Sequence, residues 1–353
     1  REEYEAQINR IMDEHCEANK HDMTLEDRKV LKQMLTGMSP FDIDRVIDMA
    51  MSSNGTLNKG DAQLLQVQKK TMVKQSGVLE LIDTPENLDS IGGMKSLKDY
   101  LENKAKIYQD IPTALDYGVS IPKGVFIVGM PGCGKSLCAK ASAAVFKCPL
   151  LKLDMGSLMG KYVGESEANL RKAIKIAEAV APSVLWIDEI EKAFSGVSND
   201  NDGMLRRMFG YFLSWMQDKT SSVYVIATAN NADNLPPELK RKGRFDEIFC
   251  VNLPTKKERE AIFKVHLNKR KKEAWGNIDI EEIANTYSTE TEGFNGADIE
   301  SVINESIEQL FREKDSPNKN LKEIIAGKVE ETISISKSCK KQIDDMKKVF
   351  EES

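Results

Sequence analysis

The sequence predicts an α/β protein: a five-stranded, mainly parallel sheet with a helical segment before it and another after it. Three observations lead there. From Lys123 onward, short apolar runs alternate with helical stretches, the pattern of crossover units on a parallel sheet. Before about residue 82, apolar residues recur at three- and four-residue spacing, the period of helices packed on one face. After Pro254 no strand-like run remains.

Taken in order, the first helical stretches are Glu26 to Leu35, Ile43 to Met51 and Gly60 to Gln75, broken by Thr36-Gly37 and Asn54-Gly55. Leu81 to Ser90 is polar, contains Pro85 and reads as a linker. The five strands are Val125 to Val128, Leu150 to Leu153, Val184 to Ile187, Val223 to Ala227 and Ile248 to Val251. Glu258 to Lys269, Ile278 to Tyr287 and Ala297 to Arg312 then read as helices. This divides the chain into a helical segment at 1–82, an α/β domain at 83–254 and a helical domain at 255–353.

One internal similarity crosses that division. Gly37, Asp42, Ile43, Val46 and Ile47 recur in the same spacing as Gly293, Asp298, Ile299, Val302 and Ile303. Two readings stand: unrelated helix starts, or residues 1–82 as the closing helical part of an upstream module of the same kind.

Composition narrows the class. With 353 residues, 41% hydrophobic and 30% charged, the chain has material for two or three packed units. It opens on Arg1 without a charged-then-apolar leader, which reads as a fragment or processed product lacking a secretory signal. No apolar run is long enough to span a membrane. A net charge of -6, with both signs interspersed, gives no reason to expect nucleic acid or an anionic membrane as partner. Cys16, Cys133, Cys138, Cys148, Cys250 and Cys339 are scattered without a CxxC pair and read as reduced thiols in a cytoplasmic setting.

The chemistry is concentrated after three of the strands. Gly129-Met130-Pro131-Gly132-Cys133-Gly134-Lys135-Ser136 fits a P-loop between an apolar strand and a helix. Glycines let successive peptide N–H groups converge on phosphate oxygens, and the helix N-terminus adds its positive end. Lys135 is placed to reach the β- and γ-phosphates of ATP, Ser136 to ligate Mg2+, and Leu137 to lie beside them. Cys133 sits inside this loop, where oxidation is expected to inhibit. Next, Val184-Leu185-Trp186-Ile187 runs into Asp188-Glu189. Paired acids at the end of a buried strand are costly unless a cation or a reacting water uses them. Asp188 is the candidate magnesium ligand and Glu189 the candidate base for water. Asn230, beyond the strand ending at Ala227, can orient that water without adding charge.

These elements, followed by Leu235-Pro236-Pro237-Glu238-Leu239-Lys240-Arg241-Lys242-Gly243-Arg244-Phe245-Asp246, resemble the AAA clade of AAA+ ATPases, which includes katanin, spastin and the FtsH-type proteases. Within it, Pro122-Lys123-Gly124-Val125, Val163-Gly164-Glu165-Ser166-Glu167 and Trp186 to Phe194 are similar to AAA proteins encoded as conserved open reading frames in plastid and cyanobacterial genomes, and to their bacterial relatives.

The resemblance implies an AAA+ module with a helical lid. Arg241 and Arg244 become arginine fingers reaching a neighbour's γ-phosphate, so the site is complete only in a homo-oligomer, usually a hexameric ring. Ile91 and Gly92 line the adenine pocket, with Ile262, His266, Gly296 and Ala297 of the lid closing over it; a packed core histidine remains the other reading of His266. Lys161, Tyr162 and Val163 take the pore-loop position that grips an extended polypeptide, by contact area rather than specific hydrogen bonds. The loop Ser195 to Gly203 is expected to be mobile and pore-facing. The function implied is Mg-dependent ATP hydrolysis driving remodelling or threading of a protein substrate. An ATP-dependent switch or scaffold, and a nucleic-acid motor, are the competing classes. The setting is cytoplasmic, or the plastid stroma for a plastid-bearing source.

Overall fold

The computed structural model describes residues 2–20, 22–35, 38, 40–54, 57–58, 61–82, 86–158, 165–194, 203–230, 236–241, 243–275, 278–313, 320–334 and 336. Among these, α1 (Glu2–Ala18), α2 (Leu25–Leu35), α3 (Pro40–Asn54) and α4 (Ala62–Ser76) lead into β1 (Leu79–Ile82). The α/β domain continues as α5 (Lys95–Gln109), α6 (Ile111–Asp116), β2 (Gly124–Gly129), α7 (Lys135–Phe146), β3 (Leu150–Leu153), α8 (Met155–Leu158), α9 (Glu165–Ala179), β4 (Ser183–Ile187), α10 (Ile190–Phe194), α11 (Gly203–Asp218), β5 (Val223–Ala229) and β6 (Glu247–Val251). The chain goes on with α12 (Lys256–Arg270), α13 (Ile280–Glu290), α14 (Gly296–Arg312) and α15 (Leu321–Glu331).

The sheet order is β1-β3-β4-β5-β2-β6. Every pairing is parallel except β1 against β3, where Leu79 faces Leu153 and Ile82 faces Leu150. The sheet therefore has six strands rather than the five read from the sequence. The extra one is Leu79–Ile82, which local pattern divides between the helical segment and the linker. What makes it a strand is the open edge of β3, a tertiary partner that local pattern does not show.

The central strands are buried on both faces, as helix-covered parallel strands must be. Val125, Ile127, Val184, Trp186, Tyr224 and Ile226 face a core with α5 and α7, while Phe126, Val128, Leu185, Ile187, Val225 and Ala227 face a core with α9 and α11. The last four helices bury their own core around Phe263, Ile283, Ile299, Val302, Ile303 and Ile325. Helix starts are fixed by side chains: Thr255 and Glu258 form a capping box on α12, Asn295 and Asp298 another on α14.

The first four helices repeat the packing of the last four. In each set the first helix packs on the second and third, and the fourth packs on the second and third. Pro40 and Gly296, aligned by the internal similarity, are both the first residues of their helices, and Ile43, Val46 and Ile47 are buried as Ile299, Val302 and Ile303 are. The N-terminal set is joined to the sheet by β1, by Lys172 Nζ donating to Ser76 O at 3.0 Å, and by Lys69 Nζ donating to Ala181 O at 3.2 Å. Val73, Val78 and Leu79 enter the core of the α/β domain.

Candidate functional site

Three adjacent strands carry the chemistry to one sheet edge. β2, β5 and β4 lie side by side and run parallel, so the loop after Gly129, Asn230 and the Asp188-Glu189 pair come together at their C-terminal ends. The phosphate loop turns through Gly132 (φ 75°) and Gly134 (φ 85°), a region that side-chain-bearing residues rarely enter. Lys135 is buried, its ammonium donating to Gly129 O and Met130 O at 2.7 Å each. Burial lowers its pKa, while the carboxylates of Glu191, Asp188 and Glu189 act the other way.

Ser136 Oγ donates to Asp188 Oδ1 at 3.4 Å, and the same oxygen accepts from Thr228 Oγ1 at 2.7 Å. Lys152 Nζ is 3.9 Å from Asp188 Oδ2 and lies over the Trp186 ring, 4.6 Å from its centroid. A hydroxyl and a carboxylate at this spacing are oxygen donors of the kind a hard divalent cation takes. Glu189 comes next with φ 50° and is held at both oxygens: Asn230 Nδ2 donates to Oε1 at 2.7 Å, and the Lys192 ammonium lies 2.5 Å from Oε2. The Lys192 hydrogen bond, aided by Asn230, keeps the Glu189 carboxyl below its ordinary pKa.

Behind this pair sits Glu191, buried, with Oε1 accepting the peptide N–H of Asn230 at 2.8 Å. Thr228 Oγ1 also accepts the Glu189 peptide N–H at 3.2 Å. Sequence reasoning assigns no role in the site to Glu191, Lys192, Thr228 or Lys152. Glu191 and Lys192 had a signal in their place on the first turn after the acidic pair, whereas Thr228 and Lys152 become visible only through the strand register.

A cavity of about 690 Å³ extends from the phosphate loop toward the helical domain. It brings together Ile91, Gly92, Pro131, Gly132, Cys133, Gly134, Lys135, Ser136, Leu137, Asp188, Glu189, Asn230, Ile262, His266, Gly296 and Ala297, all expected from the sequence. Gly92 is required there, because a Cβ on it would stand 2.5 Å from Ile262 Cγ1. His266 lines the cavity rather than the helical core, with Arg270 Nη1 3.0 Å from its Nδ1; burial lowers its pKa. Met94, Phe249, Val251 and Glu258 also line it. Glu258, the third residue of the α12 capping box, accepts Met94 N at 3.1 Å as well, pinning α12 to the start of α5.

Cys133 is nearly enclosed, and burial pushes its thiol up to about 11. A thiol that resists ionisation reacts slowly, which works against the oxidative inhibition expected at this cysteine.

Arg241 and Arg244 are not among the residues around the cavity. Arg241 is exposed at the end of the turn Pro237–Lys240, and Arg244 Nη1 donates to Glu238 O. Their loop is anchored at the opposite edge of the sheet. Asp246 Oδ2 accepts Lys123 N at 2.7 Å and Gly124 N at 3.0 Å, and Phe245 stacks on Phe126 with ring centroids 5.4 Å apart. That anchor and the phosphate loop are separated by the length of β2, roughly 16 Å at the usual rise per residue. Lys161, Tyr162 and Val163 lie outside the described residues, as does most of the loop Ser195 to Gly203.

Residues 125–253 match the ATPase family associated with various cellular activities (AAA), residues 277–324 the AAA+ lid domain, and residues 6–76 the second domain of SpoVK-like AAA ATPases. Among curated proteins, the AAA domain-containing protein ycf46 of Guillardia theta is 44% identical over 278 residues, 78% of this chain and 54% of that one. Its counterpart in Pyropia yezoensis is 40% identical over 279 residues, 79% and 56%. The chloroplastic ATP-dependent zinc metalloprotease FTSH 9 of Arabidopsis thaliana is 33% identical over 228 residues, 61% and 27%. The chain thus spans about half the length of the ycf46 proteins it matches.

Proposed function

Because this chain is an AAA ATPase, with its ATPase domain at 125–253 and a lid domain after it, we propose that it hydrolyses Mg-ATP at the cavity described above and does so as a homo-oligomeric ring. The observation that carries the nucleotide site is the convergence of phosphate loop, Ser136-Asp188 pair and Glu189-Asn230 pair at adjoining strand ends. Peptide N–H groups of the loop and Lys135 would hold the β- and γ-phosphates, and Ser136 with Asp188 would hold the magnesium that arrives with ATP. Magnesium supplies neutralising charge as the phosphoryl group leaves. Glu189 would take a proton from the attacking water, with Asn230 fixing its carboxylate.

The placement of Arg241 and Arg244 supports the ring. They do not line their own subunit's cavity, and their loop is anchored through Phe245 and Asp246 at the end of β2 away from the phosphate loop, so they would serve another subunit's site, where an arginine finger is typically worth about 10³ to 10⁵ in turnover. ATP hydrolysis per subunit, measured as protein concentration is raised, tests this with Arg241→Ala alongside. Specific activity that climbs for the parent and stays flat for the variant supports a shared site; activity independent of concentration overturns it.

Remodelling or threading of a protein substrate is the work proposed for the ring, with Lys161, Tyr162 and Val163 as its grip. Kinship with FtsH-type proteins favours this over a nucleic-acid motor, and the balanced surface charge does too. Residues 1–82 are read as a second lid, belonging to a preceding module; the repeated four-helix packing and the match at 6–76 support that reading. No described helix is long and apolar enough to cross a membrane. The setting proposed is the cytoplasm, or the plastid stroma for a plastid-bearing source, as in the organisms of the ycf46 relatives.

A further inference from the structure

Asn295 is almost fully buried where the lid meets the phosphate loop. Its Oδ1 accepts the Asp298 N–H at 2.7 Å and its own N–H is taken by Asp298 Oδ2 at 3.0 Å, a reciprocal cap on α14. A serine makes the same kind of cap. What the amide adds is Nδ2, which leaves the helix and donates to Pro131 O at 2.9 Å. Beside it, Ala297 N donates to Gly132 O at 3.1 Å. The loop is shaped to receive that amide: a Cβ on Gly132 would stand 2.3 Å from Asn295 Nδ2. One side chain therefore satisfies the helix start with its oxygen and the phosphate loop with its nitrogen.

We propose that Asn295 is a positioning residue that ties the lid to the phosphate loop, so that lid closure over the nucleotide and the shape of the phosphate cradle are set together. This rests on the nucleotide-site reading above. Gly296 and Ala297, the next two residues, line the cavity, and the bond to Pro131 O holds them against it. Without that bond the lid keeps its helix but is seated on the loop by the Ala297 N–H alone among the described hydrogen bonds, a looser hold.

Asn295→Ser in the full chain separates the two roles, since it retains the cap and cannot reach Pro131 O. ADP affinity by calorimetry, kcat and KM, and amide exchange in nucleotide-free protein are the readouts. The expected result is a roughly three- to tenfold weaker Kd, the scale of one net hydrogen bond, with KM rising in step, kcat little changed and faster exchange at Ala297 while Asp298 stays protected. Unchanged affinity together with unchanged exchange at Ala297 overturns the proposal. If the serine variant melts early, Asn295→Thr, a neutral cap that also lacks the amide nitrogen, is measured in its place against the same criteria. A parent protein that binds no ADP would remove the nucleotide-site reading, and the exchange comparison would still decide whether the tie exists.

Discussion

The side-chain amide of Asn230 donates to Glu189 at 2.7 Å while its peptide N–H is held by Glu191 at 2.8 Å, so one residue is clamped by two carboxylates from the turn after β4. The clamp fixes where the Glu189 carboxylate points. Glu189→Gln retains the shape but has no basic oxygen to accept a proton from water, and is expected to bind ATP with near-parent affinity while turnover falls at least about 100-fold, the usual scale of general-base loss. Single-turnover hydrolysis measured beside equilibrium binding checks this; normal turnover would mean that another group positions the water.

The Lys135 ammonium is held by two carbonyls of its own loop, Gly129 O and Met130 O, and is ready to be drawn to a phosphate. Lys135→Ala should abolish measurable nucleotide binding, read by titration with a fluorescent ADP analogue. Retained affinity would remove the phosphate-loop assignment.

Arg241→Ala should bind ATP like the parent and lose turnover, because its loop is anchored by Asp246 at the sheet edge away from its own site. Mixing it with Glu189→Gln subunits should restore part of the activity, since each variant supplies what the other lacks. No recovery at any mixing ratio speaks against a shared site.

Cys133 should be slow to react in the native protein. Its thiol, raised to about 11 by burial, is scarcely ionised at neutral pH, whereas Cys250 is exposed. Iodoacetamide labelling and peptide mass spectrometry should find Cys250 modified first. Equal rates would show that the loop opens readily.

Lys69 joins α4 to the α/β domain through Ala181 O, and burial pulls its pKa from 10.5 to about 8. Between those values the unfolded chain binds the additional proton, so stability should rise with pH from about 8 toward 10.5 through this group. Lys69→Met removes the cost of burying the ammonium; it should raise the melting temperature at pH 7, with the advantage fading as pH approaches 10.5. Denaturation curves at several pH values test the sign.

Much of the site was legible because its chemistry lies just past strands that announce themselves. Val125–Val128, Val184–Ile187 and Val223–Ala227 are apolar runs, and the glycines, acids and amide at their ends stand out against the pattern. β1 was not legible, since Leu79 to Ile82 straddles the end of the helical stretch and the start of the polar linker and owes its form to β3. Glu191 illustrates a second limit. An acid early in a helix ordinarily reads as a response to the helix dipole, and only burial beside Asn230 shows its use. Asn295 was not singled out either, since the reach of its nitrogen to Pro131 depends on how the lid sits.

The antiparallel ladder of β1 on β3 also makes a mechanical connection. A segment tethered by a loop can swivel without disturbing its neighbour, but the first four helices hand any torque to the sheet edge through paired backbone bonds from Leu79 to Ile82. Turning them as a lever must either rotate that edge with them or break the ladder. Because β3 pairs with β4, which runs into Asp188 and Glu189, the nearest stiff element on that load path leads to this acidic pair.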